Sequence, residues 1–205
     1  MNPGEIQNNL QQAFLLHQNK QLAEAEKIYQ LILNYQPKCI DALHLQALVN
    51  LENKSYEKSS QLFEAAIKID PKNSHILNNY ANLLIEMGRK REAISICNKA
   101  IESNSKFYQA YFTRGNAFLD LCDYQNAIDS YQNSLKINNN QAAVFYNLGN
   151  AYAKLGGFDL AINSYSQAIQ LQPNYIEALN NCGIAYKELK KYSEAANCYE
   201  KALLI

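Results

Sequence analysis

Apolar residues in this chain recur at intervals of three and four, in stripes broken by short polar segments. Phe145, Leu148, Gly149, Tyr152 and Leu155 form one such stripe, and Ala161, Ile162, Tyr165, Ala168, Ile169 and Leu171 form the next. A three-four spacing is one face of an α-helix. Between the stripes stand Gly156 and Gly157, where a left-handed residue can end the first helix. The pattern predicts a helical hairpin, and it returns every 34 residues without insertion or deletion. The repeats are residues 6–39, 40–73, 74–107, 108–141, 142–175 and 176–205.

The recurrence is also steric. The eighth position of each block is small, reading Ala13, Ala47, Ala81, Gly115, Gly149 and Gly183. Position twenty is small again, with Ala25, Ser59, Ala93, Ala127, Ala161 and Ala195, and position twenty-four carries Tyr29, Phe63, Cys97, Tyr131, Tyr165 and Tyr199. Small residues opposite large ones predict close packing of the two helices of each hairpin. Pro37, Pro71 and Pro173 share one position near the block end, where a ring without an N–H stops one helix; Ser105 and Asn139 stand there in blocks three and four. At the amino end, Asn2, Pro3 and Glu5 read as a capped helix start.

This pattern resembles the tetratricopeptide repeat family from Ile6 to Ile205, best in the fifth block and least in the first, where Asn9 replaces a large apolar residue. The resemblance implies an all-α fold, a right-handed superhelical solenoid of antiparallel helix pairs forming a single domain over residues 1–205, with a hollow that serves as a groove. It implies a non-catalytic protein-interaction module. The run Asp41, Ala42, Leu43 and His44 is similar to bacterial repeat regions preceding glycosyltransferase domains, including the amino-terminal repeats of O-GlcNAc transferase-like proteins. On that likeness, and because the chain stops at Ala202, Leu203, Leu204 and Ile205 without a polar capping helix, it is expected to be the leading part of a longer protein. Recruiting substrate for an attached transferase is therefore the alternative role, and self-association through this apolar end is a third.

Helical geometry places positions four, seven, eight and eleven of the first helix on one side and positions two, five, six, nine, twelve and thirteen on the other. The second set is expected to face the hollow. There Asn79, Asn82, Asn116, Asn147, Asn150 and Asn181 recur at positions six and nine, with Thr113 interrupting and with Asn78 and Asn180 at position five. A carboxamide both donates and accepts, so a row of them suits the backbone of an extended peptide. In the O-GlcNAc transferase repeats an asparagine series at position six grips substrate backbone, and the resemblance carries that role to Asn79, Asn147 and Asn181. Phe112 and Tyr146 point to the same side as stacking surfaces, and Leu10, Phe14, Leu48 and Leu51 make an apolar patch in the first two blocks, an anchor for an apolar partner residue.

Composition acts mainly by exclusion. Nineteen Lys plus Arg balance nineteen Asp plus Glu, which leaves no basic field for nucleic acid. Hollow-side charges lean acidic, with Asp41, Glu52, Glu86, Asp120, Glu177 and Glu188 against Lys154 and Lys187, so a neutral or basic guest is expected. Chaperone-binding members of the family hold a carboxylate with Lys or Arg at positions two, five and six; here position two carries Gln7, Asp41, His75, Gln109, Ala143 and Glu177, and that clamp is absent. The five cysteines, Cys39, Cys97, Cys122, Cys182 and Cys198, form no CxxC pair and predict no disulfide framework. With no apolar run of membrane length and no leader pattern, a cytoplasmic setting without membrane insertion is expected. His17, His44 and His75 differ in block position and lack metal-ligand spacing, and no nucleophile or phosphate-loop motif occurs, so neither metal, cofactor nor catalysis is expected.

Overall fold

Left-handed backbone punctuates every hairpin at the same place. The computed structural model describes residues 1–205, and position fifteen of each block has positive φ: Lys20 61°, Lys54 56°, Gly88 77°, Cys122 59°, Gly156 76° and Lys190 59°. Beyond each, a backbone N–H reaches back five residues to close the helix end, as in Gln21 N to Leu16 O at 2.9 Å and Ser55 N to Asn50 O at 2.8 Å. Four of the six residues are not glycine, and left-handed backbone costs an L-residue about 1–2 kcal/mol. The hairpin's packing, not local preference, holds those turns.

Twelve helices result, in two compact units, Met1–Asn104 and Ser105–Ile205. The first contains α1 (Pro3–Gln18), α2 (Leu22–Tyr35), α3 (Ile40–Glu52), α4 (Tyr56–Ile69), α5 (Ser74–Glu86) and α6 (Lys90–Ser103). The second contains α7 (Tyr108–Asp120), α8 (Tyr124–Ile137), α9 (Ala142–Lys154), α10 (Phe158–Leu171), α11 (Ile176–Glu188) and α12 (Tyr192–Leu203). Within each unit every helix packs on its successor. The first helices of successive hairpins also touch, α1 on α3 on α5 and α7 on α9 on α11, whereas the backbones of the second helices stay farther apart. Each unit is thus a stretch of all-α solenoid whose first helices crowd together on the inner side of the stack.

The small and large positions meet as expected. Ala13, Ala47 and Ala81 are fully buried, as are Ala25, Ser59, Ala93, Ala127 and Ala161, against the buried rings of Tyr29, Phe63, Tyr131 and Tyr165. At Gly115 and Gly149 an added Cβ would lie 2.4 Å from the Tyr131 ring and 2.5 Å from the Tyr165 ring, so no side chain fits without the ring moving. Burying each such ring contributes about 1.5–3 kcal/mol. Helices α2, α4 and α10 stop two residues before Pro37, Pro71 and Pro173. Helices α6 and α8 stop at the same position without proline, through extended backbone at Asn104 and Asn138. The Asn2 side chain accepts from the Glu5 N–H, and the Glu5 carboxylate accepts from the Asn2 N–H, both at 2.9 Å. That reciprocal pair caps α1. No helix is long and apolar enough to cross a membrane.

Candidate functional site

In the second unit the asparagines are tied to one another and to tyrosine. Asn116 Oδ1 accepts from the Tyr131 hydroxyl at 2.8 Å and from Asn147 Nδ2 at 2.9 Å. One hairpin later the arrangement repeats: Asn150 Oδ1 accepts from the Tyr165 hydroxyl at 2.8 Å and from Asn181 Nδ2 at 3.0 Å. Asn181 Nδ2 also donates to the Tyr146 hydroxyl at 3.2 Å. Tyr131 is fully buried and Tyr165 is 2% exposed, so each hydroxyl hydrogen requires an acceptor, which settles the direction of the amides. Both lone pairs of each position-nine oxygen are used. Asn116 and Asn150 keep only their Nδ2 hydrogens for anything beyond the protein, while Asn147 and Asn181 keep Oδ1. Burial pushes the Tyr131 and Tyr165 hydroxyls well above the ordinary tyrosine range, and hydrogen bonds from Asn147 and Asn181 oppose the shift.

The two aromatic residues expected to stack on a ligand are engaged in packing. Phe112 lies 6.1 Å from Tyr131, centroid to centroid, and packs on the core formed with Ala127, Val144 and Leu148. Tyr146 lies between Tyr165 at 6.0 Å and Tyr175 at 5.0 Å. Both are half-buried, as are Asn116, Asn147, Asn150 and Asn181, because α7 and α9, and α9 and α11, lean on one another along this face. Asn180 is exposed and Thr113 is 3% exposed, so Thr113 offers a ligand almost no surface.

The first unit departs further from expectation. Asn78 is 7% exposed with its Oδ1 unpartnered, and Leu10 is 8% exposed; both belong to the interior rather than to a groove wall. Asn79 Nδ2 lies 2.8 Å from His44 Nε2, and Asn82 is half-buried. Burial lowers the His44 pKa, Asp41 raises it and His75 lowers it further, so the ring is held neutral and accepts the Asn79 proton. Of the apolar patch, Phe14 is 42% exposed while Leu48 and Leu51 are half-buried. His17 and Lys20 both engage Glu52, at 3.0 Å and 2.7 Å, which holds that carboxyl below its usual range, chiefly through Lys20. The acidic lean of this region is weaker than the sequence count implies, since Glu52 already has a cation.

A groove of about 680 Å³ opens in the second unit. Asn150 and Asn181 line it beside Leu119, Ala153, Phe158, Tyr165, Ile184 and Ala185, with Cys122, Tyr124, Lys154 and Glu188 also on its wall. Sequence reasoning had marked the two asparagines but not Leu119 and Ala153, which share position twelve, nor Tyr124 and Phe158, which share position seventeen. Position twelve was counted on the hollow side, and the apolar pair there was the available signal. Position seventeen begins the second helix, and only the fold brings it round to this face. The groove therefore offers an apolar floor, two oriented carboxamides and one exposed charge of each sign.

Comparison with known proteins agrees with this geometry. Models of the tetratricopeptide repeat match residues 50–112, 115–156 and 140–203. No curated protein matches the chain. Among solved structures, MamA is similar at 27% identity and TM-score 0.71, over 75% of this chain and 90% of that one. PilF of Pseudomonas aeruginosa is similar at 20% identity and TM-score 0.85, over 94% of this chain and 88% of that one. YrrB, described as a TPR protein with an unusual peptide-binding site, is similar at 22% identity and TM-score 0.67, over 83% and 88%. The last two likenesses concern the fold. With hairpins in constant register, small-to-large packing inside each, and repeat models spanning most of its length, the chain belongs to the tetratricopeptide repeat family.

Proposed function

We propose that the chain is a non-catalytic protein-interaction module whose second unit receives an extended, neutral or basic segment of a partner protein. The observation that carries this reading is the groove wall on which Asn150 presents unused Nδ2 donors and Asn181 an unused Oδ1 acceptor, beside the apolar floor of Leu119, Ala153 and Ile184. An extended backbone offers C=O and N–H groups alternately and requires that pairing. Asn116 and Asn147 provide the same pair one hairpin earlier. Exposed Glu177 and Glu188 stand against exposed Lys154 and Lys187, a balance that favours neutral guests and tolerates basic ones. The first unit carries an apolar surface of its own at Phe14, Leu48 and Leu51, an anchor for an apolar partner residue, and Asn79 and Asn82 repeat positions six and nine there.

Because the carboxamides also tie hairpins together, replacing Asn147 or Asn181 by Ala would disturb stability and binding at once. Asn150→Asp separates the two. The carboxylate still accepts from Tyr165 and Asn181 but presents no donor to the groove. On an array of short neutral peptides, those bound by the native chain should bind the variant about tenfold more weakly, the loss of one hydrogen bond to a desolvated partner, while the urea midpoint stays close to native. Unchanged affinities refute the backbone contact at Asn150, and an array on which no peptide binds the native chain refutes the peptide reading.

A further inference from the structure

Positions seven and twenty-three of a block face each other across the hairpin. Block four demonstrates this directly: Arg114 Nε donates to Ser130 Oγ at 3.1 Å. In block six those two positions are both cysteine, Cys182 on α11 and Cys198 on α12. The two thiols line one cleft with Ser166 and Lys201, and Cys198 packs on the small core that holds Cys182. Cys182 is 2% exposed, whereas Cys198 is half-buried and is the more exposed residue of the two. Burial, with the neighbouring Cys198 thiol, pushes the Cys182 thiol up to about 12. Cys182 is thus a poor first target for an oxidant and a placed second one.

We propose that Cys182 and Cys198 form a reversible oxidation site that closes a disulfide across the last hairpin. The Cys198 thiolate attacks a peroxide oxygen of hydrogen peroxide, giving a sulfenic acid and, after protonation, water. The Cys182 sulfur then attacks the Cys198 sulfur; the S–S bond forms, and the sulfenic hydroxyl leaves with the Cys182 proton as a second water. Two thiols and one hydrogen peroxide become one disulfide and two waters. The bond matters at this place because α12 buries only Ala195, the least of any helix, so a covalent tie to α11 adds most where packing holds least.

The folded full chain is treated with hydrogen peroxide, digested without reductant and mapped by mass spectrometry. The expected result is a cross-linked peptide pair joining Cys182 to Cys198, a chain mass lower by two hydrogens, and a melting temperature raised by about 5 °C that dithiothreitol reverses. In Cys182→Ser the Cys198 sulfenic acid should persist and be trapped by dimedone. Cys198 advancing to sulfinic acid in the native sequence without a cross-link overturns the proposal. A link formed only in urea, or an equal rise in melting temperature in Cys198→Ser, overturns it as well.

Discussion

The tyrosine of position twenty-four meets different fates in different hairpins. Tyr131 and Tyr165 reach asparagine at position nine, but in block one that position holds Phe14, and the buried Tyr29 hydroxyl has no partner. A buried, unpaired hydroxyl costs about 1–3 kcal/mol. Tyr29→Phe should therefore leave the chain as stable or up to about 1 kcal/mol more stable in urea titration, whereas Tyr165→Phe should cost about 1 kcal/mol because it also leaves Asn150 Oδ1 short of a donor. A destabilised Tyr29→Phe would mean that the hydroxyl is satisfied after all. The same residue contributes to alkaline stability. Burial raises the Tyr29 pKa from 10.0 to about 12, so the fold favours the neutral phenol. That contribution is fully present below the unfolded value of 10.0 and is lost as pH rises through about 12. Urea midpoints taken near neutrality and near pH 11 should fall less in Tyr29→Phe than in the native chain.

At the scale of the element, the turns divide into those that glycine relieves and those that packing forces. Gly88 has φ 77° and nothing within 4 Å of an added Cβ, so Gly88→Ala tests backbone strain alone. It should lower stability by about 1 kcal/mol in thermal or urea unfolding. No change would show that the turn relaxes when burdened. Gly149→Ala is a different experiment, because the added methyl meets Tyr165 at 2.5 Å and displaces the ring that bonds Asn150. A loss of about 1–3 kcal/mol is expected, larger than at Gly88, and the Asn150 amide resonance should shift with it. Helix ends were legible where chemistry marks them: Asn2 and Glu5 as a cap, Gly156 as a stop, Pro37, Pro71 and Pro173 as terminators. Lys20, Lys54, Cys122 and Lys190 in left-handed backbone were not, since no local preference places lysine or cysteine there.

For the whole molecule, stability should vary along the chain, as in any stack where each hairpin rests on its neighbours. Helix α5 buries eight residues, from Ser74 to Leu84, while α12 buries Ala195 alone. Hydrogen exchange of the reduced chain should show α12 amides least protected and α5 amides among the most protected. Uniform protection across all helices would mean that the chain opens as one cooperative block.

The 34-residue register, the helical hairpin, and the small and large positions that bury one helix on another were all determined by sequence, because each rests on a residue's size and its distance along the same chain. So was the inner face on which Asn150 and Asn181 stand. The environment of those side chains was decided only by tertiary structure. A helical wheel treats one hairpin at a time, and Asn78, Thr113 and Leu10 are buried, while Phe112 and Tyr146 are packed, by contacts that a single wheel omits. The asparagines likewise became partners of Tyr131 and Tyr165 through bonds between residues 15 and 31 positions apart. Periodicity records which side of a helix a residue takes, but a hydrogen bond needs its partner in place, and the fold alone supplies it.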